Sequence, residues 1–505
     1  MTARTAMRDL SKSKLLAFLQ CPKRMWLEIH RPKLREDSAA TQASFEVGHQ
    51  VGELARRLYD PRGRGVLIDM KAEGLEAAFS RSSAALERVQ PIFEAGLRAE
   101  GARAFADIML PTRRGGIRSW RMIEVKSSTS VKDYYRDDVA IQTYIAKAAG
   151  VPLHSVALAH IDTQWIYPGG EDYQGLLVEN DLTDEALGRG AEVKDWIASA
   201  QKIARARKEP KRDTGRHCQD PYECGFLGHC QSQEPQAQYP IAWLPRVQSR
   251  ALKEFIAENA ATDMRHIPDA LLNEVQRRVK SVTLSGKAYF DAQSAAEELR
   301  AHKLPAYFMD FETINFAVPI WKGTRPYQQI PFQFSVHRLS RTGKVEHQSF
   351  LDLSGGDPSR AFAVALIAAC GERGPIFVYN AGFETARLRE LAERFPRLRR
   401  PLLALNARVV DLLPIAREHF YHPSQHGSWS IKAVLPAACP DLQYADLDGV
   451  QDGGMAMNAF IEALAPETPA SRKAEIERQL LDYCALDTFA MVRLWSVFAG
   501  RPLGV

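Results

Sequence analysis

Apolar positions recur at helical spacing from Leu10 to Trp26 behind a serine-rich start, which predicts a Ser-led amphipathic helix. Alternating helix and strand patterns follow, as far as the polar, Gln- and Pro-containing stretch Gln231 to Pro240, which reads as a boundary. From Ile241 to about Leu304 the periodicity is helical, with apolar positions in Ala251 to Ile256, Leu271 to Val279 and Ala295 to Leu299. Short β runs then take over: Ala306 to Phe311, Pro331 to Leu339 and His347 to Leu353. A helix over Ala361 to Cys370, a strand over Ile376 to Tyr379, another helix and a long final helix complete the pattern. Such an order predicts a multidomain α/β protein, with residues 1–235 as one domain, 236–303 as a helical connector and 304–505 as a second α/β domain.

Length agrees, since 505 residues exceed what one ordinary core holds. No run of uncharged apolar residues is long enough to cross a bilayer, and Met1 to Lys14 lacks the apolar centre of a signal peptide. No membrane partner and a cytoplasmic location are therefore expected. The formal charge of +5 is compatible with a polyanionic partner without requiring one. Two basic clusters, Lys202 to Arg212 and Arg397 to Arg400 with nearby Arg387 and Arg389, can equally be solvated surface or phosphate contacts. Seven cysteines in a chain read as intracellular do not suggest a disulfide framework. Cys370, Cys439 and Cys484 sit in apolar surroundings and read as small core residues.

The chemistry-bearing residues of the second half fall in three segments. On the strand Tyr307-Phe-Met-Asp-Phe-Glu-Thr313, Asp310 and Glu312 are two apart and share a face. Paired carboxylates on a buried strand repel, and divalent cations offset that repulsion. Next, Phe377-Val-Tyr-Asn-Ala-Gly-Phe-Glu-Thr385 reads as a strand ending at Asn380, a turn at Gly382 and a helix with Glu384 in its first turn. In the final helix, Tyr483 and Asp487 are four apart and on one face. Singly, each has an ordinary reading as a strand face, a first-turn acid or a surface pair. Their order and company carry the signal.

Together these segments resemble the DnaQ-like, or DEDD, 3′-to-5′ exonucleases in the variant with Tyr in the last motif. Asp310 and Glu312 match the family's Asp-x-Glu-Thr, Asn380 to Glu384 its Asn-x-x-Phe-Asp, and Tyr483 with Asp487 its Tyr-x-x-x-Asp. Position 384 holds Glu where the family has Asp, one methylene longer. The resemblance implies a ribonuclease-H-like domain in which Asp310, Glu312, Glu384 and Asp487 bind Mg²⁺ or Mn²⁺ and Tyr483 orients the attacking water. Asp411, after a second buried strand, is a further acid that could help or substitute. The segment His422 to Leu435 reads as scaffold with possible phosphate contacts.

In the first half, Asp107 lies near one strand, and Glu124 and Lys126 share one face of the next. A helix over Asp137 to Ala149 then carries Gln142 and Tyr144. Glu94 and His49 are weaker candidates upstream. This arrangement resembles the PD-(D/E)xK nucleases of the RecB family, with a restriction-endonuclease-like α/β core. There, Asp107 and Glu124 would hold a metal, Lys126 would activate water, and Gln142 would stand at the site. The family's Gln-x-x-x-Tyr spacing is not kept here, so the role of Tyr144 stays open. Cys21, with Cys218, Cys224 and Cys230 far beyond it, resembles the cysteine set of the iron-sulfur RecB-like nucleases, including the AddB type and the CRISPR-associated exonucleases. That resemblance implies a 4Fe-4S cluster stapling the two ends of the domain, with zinc as the alternative.

The combined reading is a metal-dependent nuclease with two active sites, acting on nucleic acid in DNA end processing, repair or defence. RNA as substrate, or a nucleic-acid-binding scaffold with one or both sites inactive, are the alternatives, since none of these motifs separates deoxyribose from ribose.

Overall fold

The structure, a computed structural model, describes residues 8–114 and 116–503. Met1 to Met7, half of the stretch read as lacking a signal-peptide core, lie outside the described residues. The chain divides into two compact units, the first formed by residues 1–235 with 316–327 and the second by 236–315 with 328–505. Residues 236–303, read from the sequence as a connector, are thus counted with the second unit. Both units mix sheet and helix, giving a multidomain α/β architecture with several mixed sheets. No helix among the described residues is long and apolar enough to cross a membrane.

The sheet of the first unit runs Val66–Leu67, Ile92–Ala99, Ala102–Arg114, Ile117–Lys126, Leu153–Ile161, Leu177–Asp181, with Leu10–Ser11 paired to Ala102–Arg114 off this path. Ile117–Lys126 and Leu153–Ile161 are parallel, and the helix Asp133–Ala148 supplies the crossover that parallel neighbours need. Alternation along Ile117–Lys126 decides which residues meet that helix. Trp120 and Met122 join the core that holds Val139, Ile141 and Ile145, whereas Ile123 packs on the opposite face with Ala55 and Phe93. Glu124 and Lys126, in phase with Met122, therefore face the helix.

The amphipathic run at the start is two helices, Lys12–Gln20 and Pro22–His30. Proline has no N–H to donate and disfavours helical backbone in the residue before it, so Cys21 is extended at φ −162° and the helix breaks there.

In the second unit the strand order is Val345–Leu351, Ile330–Leu339, Ala306–Ile314, Ile376–Val378, Val409–Asp411. The first three pair antiparallel and the last three parallel. Tyr307, Met309 and Phe311 point into one core with Phe362, Leu366, Leu388 and Leu402 of the helices on that face. On the other face Phe308 meets Trp495 edge to face, with ring centroids 6.3 Å apart, so the long helix Ala470–Ala499 covers the side that carries Asp310 and Glu312. Gln333, paired with Glu312 across the sheet, donates its Nε2 to the carbonyl of Leu480 at 2.6 Å and fixes the helix against the strands.

Candidate functional site

Asp310 and Glu312 project from the middle strand of the second unit toward the final helix, which presents Asp487 and, one turn earlier, Tyr483. One ligand oxygen from each of Asp310, Glu312 and Asp487 lies within 4.8 Å of the others. This is the only such group of His, Cys, Asp or Glu side chains among the described residues. Glu312 and Asp487 are buried, at 7 % and 6 % exposure. Burial, followed by the charges of Asp487, Glu312 and Glu384, pushes the Asp310 carboxyl well above its ordinary range. Burial likewise brings Glu312 up to about 8 and Asp487 up to about 6. Like charges this close in a dry site are unfavourable as they stand, and a hard cation is the group their oxygens suit.

Glu384 stands outside that group of three. Its helix, Gly382–Arg394, starts after Val378 and a turn in which Asn380 takes φ +75°, a left-handed value that Asn tolerates. The left-handed residue is thus Asn380, not Gly382. Asp411 holds the turn, accepting from the backbone N–H of Asn380 at 2.9 Å and of Ala381 at 3.0 Å, and it caps the following helix through Leu413 N. Its oxygens are occupied by backbone, so Asp411 positions the loop under Glu384. Glu384 is 3 % exposed, lies within electrostatic reach of Asp310, and leaves its Oε2 buried without a partner. Burial raises it to about 7.

Two further groups complete this site: Tyr444, which had no sequence signal, and Lys432, from the segment His422 to Leu435 read as scaffold with possible phosphate contacts. Tyr444, in the short turn Tyr444–Asp446, donates its hydroxyl to Oδ1 of Asp487. Lys432, in the first turn of Ile431–Ala438, places its ammonium 5.4 Å from the Tyr444 ring centre and 5.3 Å from that of Tyr483. Its charge pulls the Glu312 and Asp487 carboxyls down against the effect of burial. Burial and the neighbouring acids hold the hydroxyls of Tyr444 and Tyr483 far above the ordinary tyrosine range, so both stay protonated donors.

The acids of the first unit meet ammonium groups. Lys126 Nζ lies 2.6 Å from Glu124 Oε1 and 2.6 Å from Asp138 Oδ2, and Lys12 Nζ lies 2.9 Å and 3.0 Å from the same two carboxylates. Gln142 donates to Glu124 Oε2 at 2.6 Å and to Asp138 Oδ1 at 3.0 Å, while its own Oε1 is buried without a partner. The strand pairing of Leu10–Ser11 with Ala102 and Arg103 brings the next residue, Lys12, to this place. Asp107 sits where the ladder to Ile117–Lys126 has ended at Ile108 and Ile123, and its Oδ2 takes the freed N–H of Val125 at 2.7 Å. Burial and the Glu124 charge raise its carboxyl well above the ordinary value. Glu94, at φ +56°, is within electrostatic reach of Asp107 and Glu124. Tyr144 bonds Glu100 and His49 is exposed, so neither joins the cluster. Lys12 and Asp138, absent from the sequence reading, are as central as Lys126.

The expected iron-sulfur cluster is overturned, and zinc at the same cysteines with it. All four cysteines are free thiols that line one small cavity. No three of their sulfurs lie within 4.8 Å of one another, and the candidate metal group of the described residues consists of carboxylates alone. Cys218 and Cys224 pack with Trp26, Leu27 and Phe226 as apolar side chains. Burial pushes the thiols of Cys224 and Cys230 up, toward the neutral form and away from the thiolate a metal requires.

Residues 307–430 match the model of a family described as a domain of unknown function, DUF2779. That span contains Asp310, Glu312 and Glu384 but ends before Lys432, Tyr444, Tyr483 and Asp487. No curated protein matches the chain.

Proposed function

We propose that the second unit is a divalent-cation-dependent phosphodiester hydrolase of the DnaQ-like, ribonuclease-H-like kind, trimming nucleic acid from a 3′ end, with DNA as the favoured substrate. The observation that carries this reading is the meeting of Asp310, Glu312 and Asp487 within 4.8 Å across a strand and a helix far apart in the chain. Asp310, Glu312 and Asp487 would hold Mg²⁺ or Mn²⁺, and Glu384, with an oxygen lacking a partner, would complete the set. When bound, the cation supplies positive charge to the attacking and leaving oxygens of a phosphodiester. Tyr483 remains protonated and donates a hydrogen bond that can orient water, Tyr444 fixes the carboxylate of Asp487, and Lys432 adds a cation beside the acids.

The first unit, as a PD-(D/E)xK-type nuclease with a restriction-endonuclease-like core, is the second hydrolytic centre in this proposal, built on Asp107, Glu124, Lys126 and Gln142. Its acids are matched by two lysines, so a cation there competes with Lys12 for Glu124. The test is degradation of end-labelled single- and double-stranded DNA and RNA with Mg²⁺ or Mn²⁺, beside Asp310→Ala, Asp487→Ala and Lys126→Ala. Loss of 3′-end trimming in the two aspartate variants supports the assignment to the second unit. Undiminished hydrolysis in both removes it, and binding without cutting by the wild type favours a scaffold.

A further inference from the structure

A second concave site in the second unit lies far from the carboxylates. The end of the helix Ala292–Arg300, the residues just before the strand Ala306–Ile314, the turn after Ile330–Leu339 and the end of the final helix together enclose a cavity of ≈ 360 Å³. Arg300, Lys303, Arg341 and Arg501 line it, with His302 and Trp495, and among the described residues no carboxylate does. Along the final helix Trp495 is eight residues beyond Asp487, roughly 12 Å at 1.5 Å per residue. Leu304 is six residues before Asp310, about 20 Å along an extended chain.

Four cations with no acid among the described lining residues repel one another, and a folded surface ordinarily intersperses the opposite charge. Arg341 gives its Nε to the carbonyl of Leu304 at 3.1 Å, which aims the guanidinium from a turn into the cavity wall. Trp495 is 2 % exposed, and its indole Nε1 is a buried donor with no partner. Buried polar groups are rarely left so, and the shortfall here is of acceptors alone. Apolar walls from Leu299, Leu304 and Ala499 adjoin the cations. The size falls within the range of small-molecule sites, and guanidinium forks match phosphate oxygens in pairs.

We infer that this cavity binds a phosphate monoester of nucleotide size, held by Arg300, Lys303, Arg341 and Arg501, independently of the carboxylate site. Two sources share that chemistry, a free nucleotide and the 5′-phosphate end of a strand. Isothermal titration of the full chain in EDTA, where no divalent cation bridges phosphate to the acids, is run with AMP and with a short oligonucleotide bearing either a 5′-phosphate or a 5′-hydroxyl. Saturable binding of AMP or of the 5′-phosphorylated strand is expected, weakened at least tenfold in Arg300→Gln with Arg341→Gln and unchanged in Asp310→Asn. Both arginines are exposed, and an unchanged melting temperature shows that the variant is folded. AMP binding assigns a free nucleotide, and binding of the phosphorylated strand alone assigns a strand end. No saturable binding, equal binding by the double variant, or equal binding of the 5′-phosphate and 5′-hydroxyl strands without AMP binding would overturn the assignment.

Discussion

The hydroxyl of Tyr444, whose ring centre lies 6.4 Å from that of Tyr483, donates to Asp487, so a carboxylate buried among other acids is held by a phenol from a separate turn. A donor of this kind stabilises the charged form of Asp487 and fixes its orientation toward Asp310 and Glu312. Tyr444→Phe keeps the ring and removes only the hydroxyl. Asp487 then shifts further upward, and the Mg²⁺ or Mn²⁺ concentration needed for half-maximal 3′-end trimming rises on the order of tenfold. A metal titration of rate against wild type checks this, and an unshifted midpoint would show that the hydroxyl does not tune the site.

Asp310, Glu312 and Asp487 repel one another in the absence of a cation, which makes Asp310→Asn a test with two opposed outcomes. In EDTA the variant is expected to melt at the same temperature as wild type or above it, because one of three buried carboxyls that resist ionising side by side is gone. Saturating Mn²⁺ raises the wild-type midpoint, by about 2.7 kcal/mol of stability at one hundred times the dissociation constant, and leaves the variant nearly unmoved. A full Mn²⁺ shift in Asp310→Asn would place the cation elsewhere.

Much of the second unit could be read from local periodicity. A period of two put Asp310 and Glu312 on one face, and a spacing of four did the same for Tyr483 and Asp487, because both follow from backbone geometry. Tyr444, Lys12 and Asp138 were not legible in this way, and Lys432 was legible only as part of a segment with possible phosphate contacts. Each reaches its site from an element whose own pattern says nothing about it, and only tertiary packing brings it there. The cysteines show the reverse case. Cys21 and the distant trio Cys218, Cys224 and Cys230 do reach one cavity, but spacing along a chain does not set the distance between sulfurs, and these remain apart as thiols.

Lys12 is the least local of these residues and carries a clear energetic expectation. Its ammonium contacts both Glu124 and Asp138, which are 2 % exposed, while its own side chain is 19 % exposed. Lys12→Met leaves two buried carboxylates with Lys126 as their single ammonium partner, a loss of about 3 kcal/mol from the first unit. Exposed Lys33→Ala serves as control and should change stability by less than about 0.5 kcal/mol. Urea unfolding of the two variants measures the difference. Equal midpoints would mean that the four-charge cluster contributes no net stability.

His337 gives the pH dependence of the second unit a sign that can be worked out. Its ring is 7 % exposed, stacks on His347 with centroids 4.4 Å apart and takes its Nδ1 hydrogen bond from or to Thr488 at 2.7 Å. Burial, and then the neighbouring His347, lowers it from 6.5 to about 4. Between those values the unfolded chain binds a proton that the folded one refuses, so acidification favours unfolding. The loss begins as pH falls through 6.5, is complete near 4 and amounts to on the order of 3 kcal/mol. The raised carboxyls of Glu312 and Glu384 act in the opposite direction over part of the same range, since folded acids with high values gain stability as they are protonated. The informative quantity is therefore the difference between wild type and His337→Gln, which retains a polar side chain but cannot titrate. Urea midpoints measured from pH 7.5 to pH 4 should fall more steeply for wild type than for the variant, and parallel curves would show that His337 accepts its proton as readily folded as unfolded.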